Sequence, residues 1–332
     1  MNSIIVIFGA NGFLGRYLSR YFARQGKEVV CIARNRAGWS GDGMFLEWNG
    51  RDPGPWTLAL EGAACAINLS GHTVNCRYHE ENRRRIIDSR VESTRAIGDA
   101  IAACKTPPAC WINSSSATWY RHATDRPQNE WTGEPGDGFS VDVVRRWEET
   151  FFSAAVPAVT RKVALRTGIV LANEPGSAFD VMHRLIMRGL GGPMGDGRQR
   201  MSWLHMDDFL RAIAFLENPL LSGVFNLTAP THPDNRAFMQ TFREACGMPA
   251  GLPATAAMIR LGARFMKTEP ELVLKSRWVY PTRLQDEGFR WRWSECPDAL
   301  ANLLTRPGLE RFFRPTAARP AGARAWLPTG TR

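Results

Sequence analysis

The segment Gly9-Ala-Asn-Gly12-Phe-Leu-Gly15 constrains this chain most, because it stands between an all-apolar run, Ile4–Phe8, and an amphipathic pattern over 13–25. In a strand-turn-helix of this kind the first glycine permits a tight turn and the second lets a ligand's phosphates approach the backbone. The third lets the helix pack closely on the strand. The helix N-terminus offers free N–H groups and the positive end of its dipole, so the segment reads as a cradle for the pyrophosphate of a dinucleotide. The alternative is a purely structural turn, against which the flanking strand and helix argue.

Further runs repeat the alternation: a strand over 28–32, another over 63–69, a helix over 80–104 and a strand over 110–114. The uninterrupted apolar strands suit a sheet covered on both faces, so the expected fold is α/β, a Rossmann doubly wound parallel sheet. Strands over 163–170 and 223–227 extend it. Pro/Gly-punctuated stretches without clear strands then predict a smaller, mainly helical C-terminal lobe. The expected division is 1–172 plus 205–230 for the dinucleotide-binding domain, 173–204 plus 231–304 for the substrate lobe, and 305–332 as a disordered tail.

At 332 residues and 44% hydrophobic, the chain is long enough to bury such a core without staples. Seven cysteines form no C-x-x-C pair and six histidines no H-E-x-x-H, so neither a disulfide framework nor a metal site is expected. Without a basic leader or an apolar stretch of spanning length, the expected setting is the reducing cytoplasm, with no membrane partner. The net charge of +10 raises the question of a nucleic-acid partner. Six arginines against one glutamate between 306 and 332 account for about half of it, in a Pro/Ala/Gly context that cannot bury a core. With no basic motif interleaved with aromatics, no nucleic acid is expected. The expected partner is a small-molecule substrate, and the expected assembly a monomer or homodimer.

The run 28–33 ends in Arg34-Asn35, where a site selective for NAD would place an acid against the ribose 2′-hydroxyl. Arg34 instead can pair with a 2′-phosphate and stack on the adenine, which favours NADP(H) over NAD(H).

The glycine turn joins Asn68-Leu69-Ser70-Gly71, Ser114-Ser-Ser-Ala-Thr-Trp-Tyr120, Arg166-Thr-Gly-Ile-Val170 and Trp203-Leu-His-Met-Asp-Asp208. Together these resemble the extended short-chain dehydrogenase/reductase superfamily. Asp88-Ser-Arg90-Val91, Gly191-Gly-Pro-Met-Gly195, Val224-Phe-Asn-Leu-Thr-Ala-Pro230 and Arg277-Trp-Val-Tyr-Pro281 resemble its atypical "epimerase family" branch, which carries a small C-terminal domain. The resemblance implies that Arg34, Leu69, Ser70, Gly71, Arg90, Ser114 and Val170 join Gly9, Asn11, Gly12, Phe13, Leu14 and Gly15 in binding NADP(H).

Superfamily enzymes pair a carbonyl-polarising Ser or Thr with a Tyr and, four residues on, a Lys that lowers the tyrosine pKa. None of the five tyrosines here (17, 21, 78, 120, 280) has that lysine, and Phe139 and Val143 fall near the expected pair. The related branch likewise lacks it. Ser116 keeps the serine spacing and Tyr120 is the phenol nearest in sequence, so these two are the candidate catalytic residues. Without an ammonium beside it, that phenol's pKa stays near ~10. Alternatively both hydroxyls only cap the strand end and line the cleft. The loop with which nucleotide-sugar epimerases hold a diphosphate resembles Gly195-Asp-Gly-Arg198-Gln-Arg200-Met201, but its arginine falls on Met201, with Arg198 and Arg200 as nearby substitutes. Asp207 and Asp208 are expected to cap a helix. Trp203, Trp291 and Trp293 belong either to a pocket wall or to core. Two functions follow as expectations: an NADP(H)-binding oxidoreductase or epimerase-like protein acting by hydride transfer on a small molecule, or a non-catalytic NADP(H)-binding redox sensor or scaffold.

Overall fold

A computed structural model describes residues 4–265 and 269–305. In chain order the elements are β1 (Ile4–Phe8), α1 (Phe13–Arg24), β2 (Glu28–Ala33), β3 (Met44–Glu47), β4 (Cys65–Asn68), α2 (Glu80–Ala103), β5 (Cys110–Ser116) and α3 (Phe139–Ser153). Then come β6 (Arg161–Thr167), β7 (Ile169–Leu171), α4 (Ala178–Met187), β8 (Trp203–His205), α5 (Met206–Phe215) and β9 (Gly223–Leu227). The remainder is helical: α6 (Asn235–Ala245), α7 (Ala256–Phe265), α8 (Glu271–Leu274), α9 (Thr282–Asp286) and α10 (Cys296–Thr305).

Seven strands form one parallel sheet in the order β3-β2-β1-β4-β5-β6-β9. The order reverses between β1 and β4, opening a crevice at the carboxyl ends of the strands where ligands of such sheets bind. Strand alternation explains the double cover. Ile5 and Ile7 face the layer containing Leu18, Phe22, Phe209 and Ile213 from α1 and α5. Ile4, Val6 and Phe8 face Ile97, Ile101 and Phe151 from α2 and α3. All five β1 residues are buried, as the apolar run requires. A separate cluster of β7, α4, α6 and α10 residues, including Phe179, Phe238, Phe242 and Leu300, forms the core beyond the sheet. No helix among the described residues is long and apolar enough to cross a membrane.

The single strand expected over 163–170 is corrected to two. Thr167 ends the pairing of β6 with β9, and Ile169 turns to pair with Trp203 of β8 in a second sheet. Gly168 makes the transfer: its N–H donates to the Leu227 carbonyl, and a Cβ there would lie 2.6 Å from the Ser202 carbonyl oxygen. The expected capping role of Asp207 and Asp208 is also corrected. His205 caps α5, its Nδ1 accepting from the Asp207 N–H at 3.0 Å, so the helix starts one residue early and turns both acids inward. Asp208, fully buried, accepts from the backbone N–H groups of Arg292 and Trp293 at 2.8 Å each and pairs with Arg211. Burial raises its pKa against those donors. The acids thereby clasp the segment that carries Trp291 and Trp293, and Trp203 is core. The tail expected over 305–332 lies, beyond Thr305, outside the described residues.

Candidate functional site

The crevice at the sheet reversal is a cleft of about 780 Å³. Gly9 opens it with a left-handed backbone (φ 74°) and donates its N–H to the Ile32 carbonyl, which brings the ends of β1 and β2 together. A Cβ on Gly9 would lie 2.9 Å from the Leu69 carbonyl, and one on Gly15 2.6 Å from the Ala10 Cα. Gly12 is the N-cap of α1 and contributes no side-chain cap, so the first-turn N–H groups of Phe13, Leu14 and Gly15 have no intrahelical partner. The Phe13 and Leu14 side chains pack on the α1-facing core. These features fit an anionic pyrophosphate, which needs bare N–H donors and close backbone approach.

Asn11 spends its side-chain amide on the carbonyls of Asn35 (3.3 Å) and Ala37 (3.0 Å), tying the glycine turn to the loop after β2. Arg34 on that loop is exposed, lines the cleft, and has no hydrogen bond or ion pair among the described residues. Arg51, Arg84 and Arg85 line the same cleft, against Asp88 and Glu92. Sequence reasoning did not assign these three arginines. The Arg83-Arg84-Arg85 run at the start of α2 is a signal, but its meaning depends on α2 following β4 beside β1.

Beneath the loop after β4, Asn68 donates to Asn113 (2.8 Å) and Thr94 (3.2 Å), and Trp147 Nε1 donates to Thr94 (2.9 Å). Asn68 Oδ1 in turn accepts the Ser70 N–H at 3.0 Å, so a buried network fixes Leu69 and Ser70 at the cleft wall. Arg90 lies under Gly71: its Nη1 donates to the His72 and Ile86 carbonyls at 3.0 Å, and its guanidinium lies 5.0 Å from the Trp147 ring centroid. Burial lowers its pKa to about 10, which leaves it charged at neutral pH. Burial and then the charges of Arg34, Arg85 and Arg90 lower the His72 pKa. Ser114 and Val170 are half-buried, Val170 packing on the α1-facing core.

Ser116 ends β5, half-buried, and its Oγ accepts the Thr118 N–H (3.1 Å) while bonding the Thr118 hydroxyl (3.0 Å). Tyr120 is elsewhere. It is 1% exposed and its hydroxyl donates to Asn226 at 2.9 Å, with burial pushing its pKa up to about 12. This placement, sealed and bonded to Asn226, argues against the expected proton exchange by Tyr120. Tyr120→Phe is therefore expected to leave any cofactor-dependent turnover within about twofold while costing roughly 1 kcal/mol of stability, read by denaturant unfolding. Phe139 and Val143 supply no substitute: Phe139 packs edge-on against Tyr78 with centroids 4.9 Å apart, and Val143 is core. Of the two candidate diphosphate arginines, Arg198 is exposed. Arg200 gives Nη1 to the His232 carbonyl and lies 4.6 Å from the Trp278 ring centroid.

A parallel sheet, a glycine turn onto an uncapped helix, and a basic cleft at the strand-order reversal define an NAD(P)-binding protein of the Rossmann class. The chain belongs to the NAD dependent epimerase/dehydratase family, whose model matches residues 5–227, and residues 254–303 match a domain of unknown function, DUF1731. It is 29% identical over 310 residues to the human epimerase family protein SDR39U1, covering 90% of this chain and 99% of that one. Epimerase family protein Mb2239 of Mycobacterium bovis is 30% identical over 309 residues, 92% of this chain and 99% of its own. The crystal structure of human SDR39U1 (isoform 2) with NADPH aligns with a TM-score of 0.78 at 27% identity, over 91% of this chain and 99% of that chain. The resemblance to the epimerase-family branch, with its distinct C-terminal domain, is thereby borne out.

Proposed function

We propose that this chain binds NADP(H) in the cleft above the glycine turn and passes hydride between it and the carbonyl carbon of a small molecule. The observation that carries the cofactor reading is Arg34: a guanidinium with no protein partner among the described residues, facing a cleft shared with Arg51, Arg84 and Arg85. Arg51 and Arg85 have Glu92 and Glu81 as partners, at 3.9 and 2.5 Å, so a 2′-phosphate would supply the counter-charge that Arg34 lacks. The relative crystallised with NADPH supports the same assignment. In this reading Gly9, Gly12 and the α1 N-terminus hold the pyrophosphate, Leu69, Ser70 and Gly71 wall the cleft over Arg90, and Ser114 and Val170 border its inner end. The division into 1–172 plus 205–230 and 173–204 plus 231–304, the cytoplasmic setting and a monomeric or homodimeric state belong to the same proposal.

When bound, the nicotinamide supplies or accepts the hydride. The chain's part is to hold the substrate oxygen, for which Ser116 at the end of β5 is the side chain we assign. With Tyr120 sealed, the proton comes from cleft water or from the substrate itself. The sealing of Tyr120 also favours a second reading, a protein that binds NADP(H) without turnover.

Oxidation of NADPH against a broad carbonyl panel separates the two. Hydride transfer predicts consumption above background by at least one carbonyl, with Ser116→Ala slowing it by roughly two decades, as loss of an oxyanion donor does. Tight NADPH binding with no consumption by any carbonyl would leave the binding-only reading.

A further inference from the structure

The end of β5 carries more hydrogen-bond donors than acceptors. Thr118 Oγ1 receives the Arg277 Nε–H at 3.3 Å and is bonded to the Ser116 hydroxyl at 3.0 Å, while Ser116 Oγ receives the Thr118 N–H at 3.1 Å. Two hydroxyls own two protons, and their mutual bond uses one. Whichever way that bond runs, the other proton has no acceptor among the described residues. Arg277 is unbalanced in the same sense. Its guanidinium has no ion pair among the described residues, and its two terminal nitrogens lack partners without being sealed from solvent.

Arg277 is half-buried, and a guanidinium drawn partly out of water is favoured by an anionic partner. The acid near Arg277 is otherwise engaged: the Glu271 carboxylate takes the Ser140 hydroxyl, while the Tyr78 phenol, its pKa raised by burial, carries no charge at neutral pH. Burial lowers the Arg277 pKa, with the Glu271 charge opposing it. Arg200, the nearby alternative cation, is committed to the Trp278 face and the His232 carbonyl. An excess of donors without acceptors, next to a planar guanidinium, matches an anionic oxygen group.

We propose that Arg277, with Thr118 and Ser116, forms a subsite for a carboxylate or phosphate that the substrate carries beside its reacting carbonyl. That this carbonyl reacts rests on the hydride-transfer function above; the anion subsite does not. Because Ser116 and Arg277 are both bonded to Thr118, one small molecule can present a carbonyl oxygen to the serine and its anionic group to the guanidinium. The substrate class is thus an anionic oxo compound rather than a neutral ketone.

The test is calorimetric titration of the full chain, with and without NADP+, using phenylglyoxylate, phenyl phosphate and the neutral methyl phenylglyoxylate. One of the two anions is expected to bind at least tenfold more tightly than the ester, and which one wins identifies carboxylate or phosphate. Arg277→Met should abolish that preference while melting no lower than the wild type, because it removes an uncompensated charge. Arg277→Lys should retain part of the preference. Equal binding of ester and anions, or unchanged anion affinity in Arg277→Met, would overturn the assignment. Lost anion binding with lowered melting in both variants would make Arg277 a structural prop and also overturn it. Anion preference without any NADP+ binding would strike the cofactor reading alone.

Discussion

Gly15→Val is expected to abolish NADPH binding and to destabilise the fold by about 3 kcal/mol or more, measured by calorimetric titration and denaturant unfolding. A Cβ at this position lies 2.6 Å from the Ala10 Cα and 2.7 Å from the carbonyl oxygens of Ala10 and Gly9. All three atoms are backbone of the turn itself, so no rotamer change relieves the clash and α1 must lift off β1. The N–H groups at its first turn would then no longer point into the cleft. Gly26 provides the control: it has a left-handed backbone (φ 76°), but nothing lies within 4 Å of its added Cβ. Gly26→Ala should cost only about 1 kcal/mol of strain and leave NADPH affinity unchanged.

Glu148→Ala is expected to cost about 3–5 kcal/mol, the range for stranding one partner of a buried ion pair. Glu148 on α3 receives Arg166 Nε and Nη2 at 2.8 and 2.7 Å and the Ser115 hydroxyl at 2.6 Å, with both charged side chains buried. Arg166 also stacks on Trp119, its guanidinium carbon 3.6 Å from the ring centroid. Removing the carboxylate leaves the guanidinium buried and unpaired and frees Ser115, the neighbour of Ser116. The double variant Glu148→Leu/Arg166→Met removes both charges and should recover most of the loss. A single variant as stable as wild type in denaturant unfolding would show that the pair is not holding α3 to the sheet.

The parts of this fold that could be read from the sequence are those fixed by local pattern. The β1 run is apolar at every position because both faces are covered, and α1 shows its period because one face is not. The edge strand β3 escaped notice: its apolar run, Met44-Phe45-Leu46, is only three residues long and no residue of the strand is fully buried, so pairing with β2 is what makes it a strand. The break at Gly168 was hidden because apolar residues continue through it, and the change of partner from β9 to β8 is a long-range event. The glycine turn and Arg34 were visible as types in context. Proximity in sequence suggested Tyr120, four residues from Ser116, but could not show that the short helical turn between them carries the phenol into the core toward Asn226. Arg277 and Ser116 lie far apart in sequence, so their junction at Thr118 exists only in the folded chain.

The assignment of NADP(H) to this cleft is tested most directly by calorimetric titration of the wild type and Arg34→Ala with NADPH and NADH. The wild type should bind NADPH at least several-fold more tightly than NADH. Arg34→Ala should lose roughly 1.5–3 kcal/mol of NADPH affinity, about one to two decades in dissociation constant, with NADH affinity little changed. Equal affinities of the wild type for the two cofactors, or an undiminished NADPH preference in Arg34→Ala, would contradict the account.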